Sequence, residues 1–184
     1  MTNKANFSIV QSQEGTEIIL SSRKITKQFW IATILILTVG TALFLVIHGK
    51  GISNISLPVL LLSLVGGTGV NLLIHYLFFG LFSPKGFRSV SLIRHKGGIY
   101  TCHCNAPIRM WQYRVTCLTP IILLGILPFL YGMVNGHFHI TELGMLMFLT
   151  AFDDVYILWQ LRSFEKDLFI NDHYEEIRFQ IDGK

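Results

Sequence analysis

Asn71 and His75 lie four residues apart in an uncharged apolar run, and Asp153 and Asp154 sit side by side in another. Residues at i and i+4 share a helix face, so Asn71 and His75 point the same way. A hydrolytic zinc helix needs two imidazoles at that spacing, with a carboxylate beside the first to take a proton from the bound water. Here the three positions read Asn71, Leu72 and His75, and only the second imidazole is in place. Ionisable groups at membrane depth cost roughly 2.5 to 3.5 kcal/mol each on insertion scales, so they turn inward and pair. A polar clamp from His75 to Asp154, joining two helices, needs nothing further. A metal or substrate site is the sharper alternative, for which two protein ligands are too few to hold zinc tightly. Asp153 points about 100° away from Asp154 on a helix, so both carboxylates do not easily face one ion.

Other combinations carry less. In a strand Cys102 and Cys104 face one way and His103 the other, so they do not share a tetrahedral site, and packing of a hairpin face explains them. His137 with His139, and Asp172 with His173, have the residue types of a metal site, but surface histidines and turn Asx residues are the commoner explanation. The Gly66-Gly67-Thr68-Gly69 run lacks the lysine of a phosphate loop, and Ser63 with Gly67 has the spacing that lets membrane helices approach closely.

The surrounding chain is built to lie in a bilayer. Of its 184 residues 51% are hydrophobic and 14% charged, with a mean hydropathy of +0.51, which reads as one membrane domain. No acidic residue occurs between Glu17 and Glu142, so the formal charge of +4 suits loops facing anionic lipid rather than nucleic acid. Four apolar stretches, 31–47, 57–82, 115–134 and 140–161, predict an all-α polytopic membrane protein of about four transmembrane helices. Pro58 suits a first helical turn, Ser83-Pro84 a stop, and Pro120, Gly125 and Pro128 a kink or late start in the third span.

Arg23, Lys24 and Lys27 precede the first span, and the 83–114 loop holds six basic residues and no acid. The positive-inside rule then places the 1–29 tail, this loop and the 163–184 tail in the cytoplasm, around a 30–162 membrane domain of a multi-pass cell-membrane protein. The first span is expected to be retained rather than cleaved as a signal peptide. A cytosolic face would keep the three cysteines reduced. Within the loop, Ser89 to His95 and Ile99 to Cys104 are β-prone runs joined by Lys96-Gly97-Gly98, which predicts a small hairpin at the membrane surface. Residues 176–181 alternate polar with apolar, as a half-buried strand does.

The order of these pieces resembles the bacterial membrane-embedded zincin peptidases, whose logic is that of intramembrane site-2 proteases. The resemblance rests on Asn71-Leu-Leu-Ile-His-Tyr-Leu-Phe-Phe79, where that family reads His-Glu-Leu-x-His; on the hairpin ending at Cys104; and on Leu118-Thr-Pro120 opening the third span. Asp153-Asp-Val-Tyr-Ile157, in place of Gly-Asp and apolar residues, and Asp172-His173 complete it. It implies that positions 71, 75 and 154 are metal ligands and position 72 the general base. His75 and Asp154 match, whereas Asn71 offers a weak carbonyl oxygen and Leu72 moves no proton.

The expectation is therefore a catalytically degenerate copy with no cofactor, binding a peptide, a membrane protein or lipid through a polar cleft of Asn71, His75 and Asp154, with Asp153 nearby. Its partners are the bilayer and a membrane protein or hydrophobic peptide, not nucleic acid. An active zinc metallopeptidase with atypical ligands, holding zinc on His75 and Asp154, and a structural or immunity-type membrane partner are the alternatives.

Overall fold

The computed structural model describes residues 7–12, 15–20, 22–49, 57–94, 100–173 and 178–182, with side chains described within 29–49, 58, 60–94 and 100–170. The 96–98 hairpin turn and residues 176 and 177 lie outside them. The structure is mostly helical. Helix α1 is Ser22–His48 and α2 is Leu57–Phe82, with Pro58 in its first turn as the sequence predicts. Helix α3, Met110–Pro120, runs through a π-helical segment, Ile121–Ile126, into α4, Leu127–Asn135. Helices α5, Phe138–Thr150, and α6, Phe152–Leu161, follow.

Three helical stretches are long and apolar enough to cross a membrane, Phe29–His48, Leu60–Phe82 and Met110–Asn135, and they mark the chain as a membrane protein. The third starts five residues earlier than the apolar run, at Met110, so Leu118-Thr-Pro120 lies inside the helix rather than opening it. Its expected kink is a π segment, in which the Leu127 N–H bonds to the Ile122 carbonyl. That wider winding accommodates Pro128, which has no N–H to give. The predicted fourth stretch, 140–161, is not one continuous helix: it is two helices broken at Ala151.

The all-α expectation is corrected as well. Strands β1 (Phe7–Ser12), β2 (Gly15–Leu20), β5 (Ile108–Arg109), β6 (Phe169–His173) and β7 (Arg178–Asp182) form one antiparallel sheet in the order β1-β2-β7-β6-β5. Pairing of Ile18 with Phe179 and of Ile108 with Ile170 ties both tails to the base of α3. The expected hairpin is separate, β3 (Val90–Arg94) against β4 (Tyr100–Cys104). Every strand lies where α1 begins, α2 ends, α3 begins or α6 ends, so both sheets occupy one end of the bundle. There Phe79, Tyr113, Cys117, Leu161 and Ile170 bury a shared core with Cys104, and Cys102 packs against it. Both cysteines of the Cys-His-Cys run thus face the core, as strand alternation requires.

Glycine and small residues set the helix contacts. A Cβ at Gly40 or Gly67 would collide with Met145 or Met147 of α5, and one at Gly132 would collide with Thr141. At Gly144 the obstruction is backbone, the Phe129 nitrogen and the Gly125 oxygen, and backbone cannot swing aside. Gly144→Leu is therefore expected to force α4 from α5 and cost about 1 to 3 kcal/mol as an overpacking substitution. Thermal unfolding in detergent reads this, and an unchanged midpoint would mean the two helices do not pack through Gly144.

Candidate functional site

Helix α2 presents Gly67, Asn71, His75 and Phe79 at four-residue intervals, one continuous stripe. Its first member touches Met147 of α5, and its last meets the Tyr113 ring of α3 at 5.9 Å. Between them His75 Nε2 lies 3.2 Å from Asp154 Oδ2 on α6. The two side chains are 11% and 20% exposed, so this is a contact inside the bundle rather than a surface ion pair. A hydrogen bond there requires the imidazole to carry its hydrogen on Nε2.

The break at Ala151 is what delivers Asp154 to this place. Thr150 Oγ1 donates to the Met147 carbonyl at 2.8 Å, and the chain restarts as α6 with Asp153 and Asp154 in its first turn. Carboxylates are favoured at a helix start, where backbone N–H groups are unsatisfied. The turn sends the neighbours apart: Asp154 is half-buried on His75 and Asp153 is exposed. The structure therefore brings His75 and Asp154 together and leaves Asp153 outside the pair.

Asn71 sits one turn before His75 on the same stripe, between the Met147 and Asp154 contacts. Its Oδ1 is buried with no hydrogen-bond partner, as is the Tyr156 hydroxyl of α6. A buried acceptor without a donor costs on the order of 1 to 3 kcal/mol, so Asn71 Oδ1 is a vacant hydrogen-bonding position in the bundle. Leu72 is half-buried and offers only methyl groups. The donor set near the pair is one imidazole, one carboxylate and one neutral amide. Among the described residues no three His, Cys, Asp or Glu side chains converge as a metal centre.

The remaining candidates have local partners. His103 Nε2 is 2.9 Å from Thr101 Oγ1, on the face of β4 opposite the two cysteines. His137 precedes α5 with its ring against Tyr131, and its carbonyl accepts the Thr141 N–H; His139 stands exposed beside Phe138. Asp172 and His173 lie in β6, and their side chains are outside the described residues. The Gly66–Gly69 run is ordinary helix, with the Thr68 hydroxyl donating to the Leu64 carbonyl.

Two supporting groups escape a sequence reading. Arg114 Nη2 donates to the Leu161 and Phe164 carbonyls, at 2.6 and 2.8 Å, and so caps α6 from α3. A lone arginine at the edge of an apolar run was the available signal. The Ser89 and Ser83 hydroxyls hydrogen-bond at 2.6 Å and fix the exit of α2. Nothing in sequence marks two serines six apart as partners.

Comparison with known proteins gives one match. No curated protein and no solved structure matches the chain. A family model described as "putative zincin peptidase" matches residues 71–169. The match opens on Asn71, takes in His75, the hairpin and Asp154, and covers more than half of the 184 residues. The chain belongs to this family, described as "putative zincin peptidase".

Proposed function

We propose that this protein is a non-catalytic member of that family, a multi-pass membrane protein with both tails and the 83–114 loop in the cytoplasm, whose cleft binds a hydrophobic peptide or membrane-protein segment. One observation carries the reading: His75 and Asp154 meet at 3.2 Å while the general-base position is Leu72. An imidazole, a carboxylate and an amide do not fit a hydrolytic zinc centre, which needs a third strong ligand and a proton acceptor beside it. Loss of the general base alone typically costs 10²- to 10⁴-fold in rate. What the cleft retains is hydrogen-bonding capacity. Asn71 Oδ1 is buried and accepts no bond within the bundle, so it would take an N–H from an extended backbone that parts the helices beside α2.

The orientation rests on the same end of the bundle. Both sheets and the basic 83–114 loop gather there, which supports a cytoplasmic face for all of them. A second reading, an active zinc peptidase, has the partnerless Asn71 Oδ1 in its favour, since a ligating oxygen is left unsatisfied when no metal is bound. Proteolysis of a membrane-embedded test substrate separates the two. No cleavage by the wild type is expected; cleavage abolished by Asp154→Asn would overturn the non-catalytic reading.

A further inference from the structure

The exit of α2 does not simply leave the bundle. Gly86 adopts φ +61°, a left-handed turn that favours glycine, and the following residues, Gly86–Ser89, form one 3-10 turn. The chain thereby doubles back along its own helix. The Phe87 ring lies so close over Gly80 that a Cβ there would collide with it, and it stacks on Tyr76 with centroids 5.3 Å apart. Phe87 follows the end of α2 by five residues yet packs on Gly80 and Tyr76, two and six residues inside the apolar span. Hydroxyl bonds hold the hook in shape: the Ser83 and Ser89 hydroxyls meet at 2.6 Å, the Ser89 hydroxyl lies 2.7 Å from the Gly86 carbonyl that accepts its hydrogen, and the Lys85 N–H donates to Ser83 Oγ at 3.3 Å.

On either side of the inward ring stand Lys85 and Arg88, both exposed. Phe87 remains 44% exposed and Leu81, beside it on α2, is 70% exposed, so the outer side of the hook faces hydrocarbon. Aromatic rings at this depth with cations just beyond them are the arrangement that a phospholipid interface favours. Arg109, at the end of β5 just before α3, is different. The Trp111 N–H bonds to the Lys166 carbonyl, which sets Glu165 and Asp167 against the start of α3 and offsets positive charge there. No acidic residue occurs in the sequence around the hook, from residue 18 to residue 141.

We infer that the Ser83–Ser89 hook is an anionic-phospholipid site, in which Lys85 and Arg88 take the headgroup phosphate while Phe87, Tyr76 and Leu81 line the path of the acyl chains. Charge complementarity selects the anionic leaflet surface, and the ring packed over Gly80 fixes the depth at which the cations sit. A soluble phosphate would meet the two cations but would gain nothing from the apolar side, so the lipid is the ligand.

Native mass spectrometry of the full chain released from detergent reads this directly, with phosphatidylglycerol and phosphatidylcholine offered together. The wild type is expected to retain phosphatidylglycerol in preference, and Lys85→Gln with Arg88→Gln to weaken that retention by about 10-fold or more, each cation near a membrane surface being worth roughly a factor of five. Lys85→Arg with Arg88→Lys keeps the charge and is expected to restore it, which a merely structural role of the long side chains would not require. Equal retention of the two lipids by the wild type would overturn the inference. So would unchanged retention in the neutral variant, or displacement of the lipid by millimolar inorganic phosphate.

Discussion

Purified wild-type protein is expected to carry less than about 0.1 zinc per chain, and Asn71→His with Leu72→Glu to carry about one, because the double change supplies the third ligand and the adjacent carboxylate that zinc sites of this type use. The geometry favours the gain. Position 71 already shares the stripe of His75, and Asp154 already reaches that stripe from α6 at 3.2 Å. A histidine at 71 would project from the same face one turn earlier, into the place where the Asn71 oxygen lies without a partner. The existing hydrogen bond and a metal compete, since a His75 Nε2 that carries the hydrogen donated to Asp154 has no lone pair with which to ligate. Asn71 and Leu72 therefore favour the clamp, and the substitutions tip the balance towards the ion. Elemental analysis of both proteins in detergent tests it. One zinc per wild-type chain, lost on His75→Ala, would sink the non-catalytic reading. Absence of zinc from both would mean that the bundle holds positions 71, 75 and 154 in an arrangement unlike a zinc hydrolase.

Sequence periodicity reveals the apolar helices well because each is long and its ends carry residues with a mechanical effect. Ser83-Pro84 stops α2 at Phe82, and Pro58 sits in its first turn. Local pairing is equally visible: β3 and β4 are a few residues apart, so their β-prone runs imply each other. The five-stranded sheet is not visible this way, because Thr16 pairs with Ile181 across nearly the whole chain and nothing in either tail names its partner. The break at Ala151 was hidden by unbroken hydrophobicity, with neither proline nor glycine to mark it. The signal was Asp153-Asp154 itself, two acids suited to the first turn of a new helix rather than the middle of an old one. Spacing put Asn71 and His75 on one face, and the bend after Thr150 is what brings Asp154, and not Asp153, to His75.

His75→Leu is expected to destabilise the bundle more than the pair His75→Leu with Asp154→Leu. The single change leaves a carboxylate, 20% exposed, facing apolar helices without its donor. Removing one partner of a buried pair typically costs about 3 to 5 kcal/mol, and partial exposure of Asp154 lowers the expectation to roughly 2 to 3 kcal/mol. The double change removes the orphan along with the donor, and matched apolar side chains in place of a buried pair are often neutral. The two effects should then depart from additivity by about 0.5 to 3 kcal/mol in a double-mutant cycle followed by unfolding in mixed detergent micelles. Additivity to within about 0.5 kcal/mol would deny the 3.2 Å contact any energetic weight. The same doubly apolar protein discriminates between a clamp and a cleft. A clamp serves only to join α2 to α6, so a stable double variant would keep every partner of the wild type, and the structural-subunit reading would prevail. A cleft uses the polar atoms on its ligand, so peptide or membrane-protein binding should fall even where stability is restored, and adding Asn71→Leu should abolish what remains.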